Sequence, residues 1–228
     1  MVLVFSLSCY PFTYLSKRFS KKYNKGSVIM TKINIILGSS REASLGKNLF
    51  KYLKNNQKKY ESQIDAELNF IEIGQYELPF FYESLPPMGN KHRHLPVKQQ
   101  QWIDDMDSAD GYIFLTPEYN HSFPAVIKNA IDYLSNQISN KAVLTMTYAN
   151  NSRGGQFGGL ELNAVLTRLN AFVIPQNVAI SNVQKNFDED GHFLEDAPSK
   201  DFYEKKLNQS IKKISFYSNL FKNNQFEQ

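Results

Sequence analysis

Residues 33–53 read INIILGSSREASLGKNLFKYL. The stretch from Ile33 to Leu37 is a short, mostly apolar run of the kind a strand covered on both faces requires. Leu45, Leu49 and Leu53 then recur every four residues, the spacing of a helix that buries one stripe. Between them lies Gly38-Ser39-Ser40-Arg41-Glu42-Ala43-Ser44, where Ser44 is placed to cap the helix. N–H groups at a helix start attract an anion, the hydroxyls of Ser39, Ser40 and Ser44 add directional donors, and Arg41 offers a planar fork for two oxygens. The loop, with Leu45 and Gly46 at the helix start, suits a terminal phosphate monoester. A polar turn with a serine cap and a solvated arginine is the alternative reading of the same residues. Gly46-Lys47 resembles the end of a Walker A loop, but Asn48 stands where Ser or Thr belongs and Arg41 where the first glycine belongs. The G-x-G-x-x-G dinucleotide fingerprint is also absent.

Around this unit the chain alternates short apolar runs with amphipathic stretches, which argues for a parallel sheet covered by helices on both faces. Strands are expected at 33–37, 68–73, 112–116, 142–147 and 171–174, and helical stripes run through Val97 to Met106, Val126 to Leu134, Gly155 to Leu169 and Lys200 to Phe221. With 228 residues, 42% of them hydrophobic, one sizeable core and one domain at 30–228 are expected. Lys17, Arg18, Lys21, Lys22 and Lys25 supply five of the 26 basic residues and leave 21 against 22 acids after residue 29, so the body carries no nucleic-acid footprint. Cys9 is the only cysteine, which excludes an intrachain disulfide and agrees with a cytoplasmic setting. Residues 1–29 are apolar as far as Leu15 and basic afterwards. The apolar part is too short to span a bilayer and has no basic residue ahead of it, so no membrane partner is expected. Translation starting at Met30 is the preferred account of this extension; a disordered tail or a short interfacial anchor is the competing one.

The third strand runs into Thr116-Pro117-Glu118-Tyr119-Asn120-His121-Ser122-Phe123-Pro124, followed by a helix. Pro117 and Pro124 stiffen this loop, and its backbone groups are suited to the polar edge of a ring system with Tyr119 packed nearby; Glu118 and Asn120 orient the loop or touch the ligand. A rigid turn ending in a helix is the plainer alternative. The segment closely resembles the P-E-Y-N text of the NADPH-dependent FMN reductase family, whose members include quinone, azo-dye and chromate reductases. The resemblance covers roughly residues 31 to 222. It rests on four ordered landmarks: Gly38 to Ser44, Leu78-Pro79-Phe80-Phe81, Ala109-Asp110-Gly111 and Tyr148 to Gly155.

The resemblance implies a flavodoxin-like three-layer sandwich with a five-stranded parallel sheet of order 2-1-3-4-5. It also implies FMN bound at the carboxyl ends of the strands, NADPH or NADH as donor, and a homodimer or homotetramer with flavin near the subunit contact. In that order the crevice beside strands one and three is the switch point where open α/β folds bind ligands. Tyr148-Ala149-Asn150-Asn151-Ser152-Arg153-Gly154-Gly155 follows strand four, and the equivalent family stretch contacts the isoalloxazine; Tyr148, Ser152, Arg153, Gly154 and Gly155 are its candidates here. This chain carries Asn150, Asn151 and Ser152 where the family is often richer in glycine. Gly158-Gly159 is a second pair, and the first is aligned with the family because of its distance to Leu169 and Ala171. His92 and His94 read as part of a solvated basic loop, Trp102 as a packing residue, and Asp188 to Gly191 as a turn. No catalytic nucleophile, general acid or metal ligand is demanded. The expected activity is ping-pong reduction of a small acceptor such as a quinone, azo compound, free flavin or metal oxyanion. A flavodoxin-type electron carrier is the alternative.

Overall fold

The computed structural model describes residues 30–90, 93–175 and 178–225. The readings of residues 1–29, of Lys91 and of His92 therefore lie outside the described residues. In chain order the elements are β1 (Thr31–Leu37), α1 (Gly46–Asn55), α2 (Gln57–Glu61), β2 (Ala66–Glu72), α3 (Val97–Asp107), β3 (Gly111–Pro117), α4 (Ala125–Asp132), β4 (Ala142–Tyr148), α5 (Gln156–Arg168), β5 (Phe172–Val173), β6 (Val178–Ile180) and α6 (Lys200–Asn223), with 3₁₀ turns at Ile73–Tyr76 and Val183–Lys185. The strands form one parallel sheet of order β2-β1-β3-β4-β5, and β6 also pairs with β4. This is the helix-covered parallel sheet expected from the alternation, in the flavodoxin-like order that the resemblance implies.

Strand parity divides the core in two. Ile33, Ile35, Leu37, Ile113, Leu115, Leu144 and Met146 pack with Leu49, Phe50 and Leu53 of α1 and with Leu207, Ile211 and Ile214 of α6. Residues of the opposite parity, among them Ile36, Tyr112, Phe114 and Val143, pack with Trp102 and Met106 of α3, Ile127 and Ile131 of α4, and Leu162 and Leu166 of α5. Burial on both faces is why β3 and β4 read as near-continuous apolar runs, since each buried aliphatic or aromatic side chain stabilises by about 1.5–3 kcal/mol and neither face can hold unpaired polar groups. The polar exceptions are bonded. Asn34 donates to Asp105 O at 2.8 Å and accepts from Asn69 at 2.9 Å, and Thr145 donates to Asn163 at 2.7 Å. Trp102 is a packing residue whose Nε1 donates to Ala130 O at 2.8 Å.

Two expectations need correction. The strand expected at 171–174 is only the first half of a split edge: Phe172 and Val173 pair with Ala142 and Val143, and Val178 to Ile180 pair with Met146 to Tyr148. Ile174 N–H makes the last rung of the first half, to Val143 O at 2.8 Å. The register then shifts, since Val173 stands opposite Val143 and Val178 opposite Met146, five positions on this edge against three on β4, and the ladder resumes as β6. The second concerns the basic loop. Arg93 is not solvated: it makes a 2.6 Å ion pair with Glu83, both side chains being largely covered, and donates to Tyr133 O at 2.6 Å. Asn129 of α4 holds the same loop by donating to Pro79 O at 2.8 Å and accepting Phe81 N–H at 2.8 Å. The exposed outer face of that segment carries Phe80, Tyr82, Leu85 and Met88.

Candidate functional site

From β1 the chain returns to β2 on one side of the sheet, whereas from β3 it proceeds to β4 on the other. The connections diverge at the C-terminal ends of β1 and β3, where open α/β sheets leave a crevice. Gly38 closes the end of β1 by donating to Leu115 O of β3 at 2.9 Å. Ser39 Oγ accepts the Arg41 N–H at 3.4 Å, and Ser44 Oγ accepts the Gly46 N–H at 3.3 Å; the N-cap position of α1 is Leu45, with no side-chain cap bond, so the cap expected of Ser44 is corrected to a contact from one residue ahead of the N-cap. Ser39 and Ser44 are nearly buried. Arg41 is exposed and has no ion pair among the described residues. The first turn of α1 contains no acid, which leaves its positive end uncompensated by its own side chains.

The loop after β3 is sharper than its prolines alone indicate. Tyr119 N–H donates to Ser122 O at 2.8 Å and Ser122 N–H to Tyr119 O at 3.0 Å, and Asn120 and His121 between them have φ of 51° and 63°. Two consecutive left-handed residues inside such a pair make a type I′ turn, for which Asn at the first position is well suited. The turn sends the Tyr119 hydroxyl back to within 3.4 Å of Ser39 Oγ. The anion-type loop and the P-E-Y-N loop therefore touch. Pro117 closes β3, with its carbonyl accepting Thr116 Oγ1 at 2.9 Å, and Asn120 is exposed at the tip. Glu118 reaches the start of α5, where Oε2 accepts the Phe157 N–H at 3.0 Å. It orients the loop, one of the two roles its position allowed.

Tyr148, the last residue of β4, shares the parity of Leu144 and Met146 and so points toward α1. Its hydroxyl lies 3.4 Å from Ser44 Oγ, and a Cβ on Gly46 would stand 2.1 Å from it. Only glycine at position 46 leaves room for that ring. Burial raises the Tyr148 pKa well above its ordinary value, so the phenol stays protonated and remains a donor. Beyond it, Asn151 Oδ1 accepts the N–H groups of Arg153 and Gly154 at 3.0 and 3.1 Å, and Ser152 O accepts Ser181 Oγ at 2.8 Å. Gly154 and Gly155 take φ of 61° and 77°, but the side on which a Cβ would stand faces the backbones of Ala179, Ile180 and Tyr148. The glycine that meets the P-E-Y-N loop is Gly158, whose added Cβ would lie 3.0 Å from Pro117 O and 3.1 Å from Ser122 O.

Sequence reasoning missed Phe157. Its ring stacks on His121 with centroids 4.9 Å apart, and the Arg153 guanidinium lies 5.8 Å from its centroid. The signal available was an aromatic residue directly at the start of a helix that follows a glycine pair. Among the described residues no group of three metal-ligating side chains occurs.

Near-buried hydroxyls, an acid-free helix start, a guanidinium with no ion pair among the described residues and a stiff aromatic hairpin form one donor set, which fits a phosphate-ended planar ring system. Fold and loops together define a flavodoxin-like flavin-binding enzyme class. A profile of the NADPH-dependent FMN reductase family matches residues 31–185. An NAD(P)H-dependent FMN reductase of Nectria sp is 30% identical over 156 residues, which cover 68% of this chain and 74% of that protein. One of Saccharomyces cerevisiae is 30% identical over 149 residues, 63% of this chain and 77% of its own. Among solved structures, a flavoenzyme NAD(P)H:(acceptor) oxidoreductase from Paracoccus denitrificans matches with a TM-score of 0.64 at 20% identity, covering 84% of this chain and 99% of that one. The chain belongs to the NADPH-dependent FMN reductase family. It is an oxidoreductase with FMN as cofactor and NAD(P)H as electron donor, which favours the enzyme over the electron carrier. No helix among the described residues is long and apolar enough to cross a membrane.

Proposed function

We propose that the crevice between the β1, β3 and β4 loops holds FMN and serves donor and acceptor in turn, in a ping-pong reduction of a quinone, azo compound, free flavin or metal oxyanion. The observation that carries this reading is the 3.4 Å approach of Tyr119 to Ser39, which makes the anion loop and the ring loop two walls of one site. Ser39, Arg41 and Ser44, with the backbone at Leu45 and Gly46, grip the phosphate. Pro117, Tyr119 and Asn120 present the stiff edge against the ring, Glu118 fixes that edge to α5, and Tyr148, Ser152, Gly154 and Gly155 close the other wall. FMN held there would supply the hydride and electron-transfer chemistry that links NAD(P)H to the acceptor. The side chains position and exclude water; no proton-transferring residue is assigned.

Stopped-flow mixing of the FMN-loaded protein with NADPH tests the core of this reading, with bleaching of the flavin absorbance as the expected result. Persistent colour would sink it. Parallel double-reciprocal lines with a quinone acceptor support alternate occupancy, whereas intersecting lines rule it out. A homodimer or homotetramer is part of the proposal, supported by Phe80, Tyr82, Leu85 and Met88, which expose large apolar side chains along one pinned loop. Phe80→Asp with Tyr82→Asp is expected to shift the protein to monomer in light scattering; an unchanged mass would place the contact elsewhere. A cytoplasmic location belongs to the same reading and rests on the single cysteine.

A further inference from the structure

We propose that Arg153, presented over Phe157, contacts the 2′-phosphate of NADPH and makes this chain prefer NADPH to NADH. The inference rests on the flavin-site reading above and adds the residue that tells the two donors apart. His121 comes from the β3 loop, Arg153 from the β4 loop and Phe157 from the first turn of α5, and they form one stack. The His121 and Phe157 rings are 4.9 Å apart and inclined by only 12°, with the guanidinium 5.8 Å from the Phe157 centroid. Each member is anchored through its backbone. Glu118 accepts the Phe157 N–H, Asn151 accepts the Arg153 N–H, and His121 occupies a left-handed position of the hairpin turn.

Arg153 and His121 are exposed, and neither makes an ion pair with an acid among the described residues. Glu118 of the same hairpin is engaged with the α5 backbone. An unpaired guanidinium beside a stacked aromatic pair matches a flat base attached to a phosphate monoester. The rings accept the purine face and the planar fork accepts two phosphate oxygens. The dinucleotide donor is long, so with its nicotinamide on the reacting ring its adenosine end must lie along a rim of the crevice. NADH carries a hydroxyl where NADPH carries the phosphate and gains little from the fork.

Two measurements on the FMN-loaded protein test this. In steady-state kinetics, Arg153→Ala is expected to lower the NADPH-to-NADH ratio of kcat/KM by roughly 10- to 100-fold, with Arg153→Lys intermediate because it keeps charge and loses the fork. In titration calorimetry, adenosine 2′,5′-bisphosphate is expected to bind the wild type more tightly than 5′-AMP, and Arg153→Ala to abolish the difference. Equal binding of the two nucleotides by the wild type, or an unchanged kcat/KM ratio in the variant, overturns the assignment. Loss of flavin bleaching with both donors in the wild type would instead defeat the functional reading, and the calorimetric comparison separates the two failures because it requires no turnover.

Discussion

Arg41 is the residue whose contribution to binding separates most cleanly from its contribution to stability. Its side chain is exposed and unpaired among the described residues, and it stands two positions beyond Ser39 at the mouth of the anion loop. A charge-assisted fork to phosphate is worth about 1.5–3 kcal/mol, whereas deleting a solvated arginine costs the fold within about 0.5 kcal/mol. Arg41→Ala is therefore expected to weaken FMN affinity roughly 10- to 100-fold in a fluorescence-quenching titration while Tm stays unchanged; equal affinity would move the phosphate elsewhere. This part of the site was legible because phosphate binding at a helix start draws on neighbours in sequence, here Ser39 to Gly46. Phe157 and Gly158 were not, since their partners on the β3 loop stand 36 to 41 residues away and only the packing of α5 on that loop reveals them.

The β3 loop and α5 behave as one element joined by a carboxylate. Glu118 places its negative charge at the start of α5 and satisfies a backbone donor there, a contact spanning 39 residues that joins the ring loop to the β4 connection. Removing a capping acceptor costs about 0.5–2 kcal/mol. Glu118→Ala should accordingly lower Tm by several degrees and loosen the hairpin, raising the hydrogen-exchange rates of Tyr119 and Ser122 together; Glu118→Gln, which keeps an acceptor, should lose less. A variant with unchanged exchange at both amides would show the hairpin to be self-sufficient. The helices themselves were readable from their stripes, and so were the three inner strands β1, β3 and β4, whose residues are largely buried on both faces. The edge was not, because a strand paired on one side tolerates interruption. A register shift against β4 between Val173 and Val178 splits the outer edge beyond β4, and the three-residue β6 is too short to announce itself by pattern. The type I′ geometry at Asn120 and His121 was equally hidden, as prolines on either side drew attention to stiffness and not to the two left-handed residues between them.

The sandwich was legible in its order through the family resemblance carried by the loop landmarks, whereas the alternation of apolar runs and helical stripes by itself pointed only to a parallel sheet covered on both faces. The same two-sided burial dictates how the fold responds to alkali. Burial raises the pKa of Tyr60, Tyr76, Tyr112 and Tyr148 above the ordinary value of 10.0, with the Asp105 hydrogen bond adding to the effect at Tyr76. Below pH 10 these phenols are neutral in both folded and unfolded chains and make stability independent of pH. Above it the unfolded chain releases their protons and the folded chain keeps them, so unfolding is favoured by up to about 1.4 kcal/mol per pH unit for each tyrosine. Lys141 works in the opposite direction. Burial lowers its pKa from 10.5, so the folded chain sheds that proton first and gains stability as pH rises toward the unfolded value. Tyr52 and Tyr133 are raised by burial as well, so one lysine opposes six tyrosines and the net slope is downward. Denaturant melts between about pH 9 and pH 11 should show stability level at first and then falling steeply, and Tyr148→Phe should reduce the fall by one proton's worth. Stability that stays flat or climbs through that range would mean that the tyrosines ionise in the folded state, and that the hydroxyl beside Ser44 is open to water.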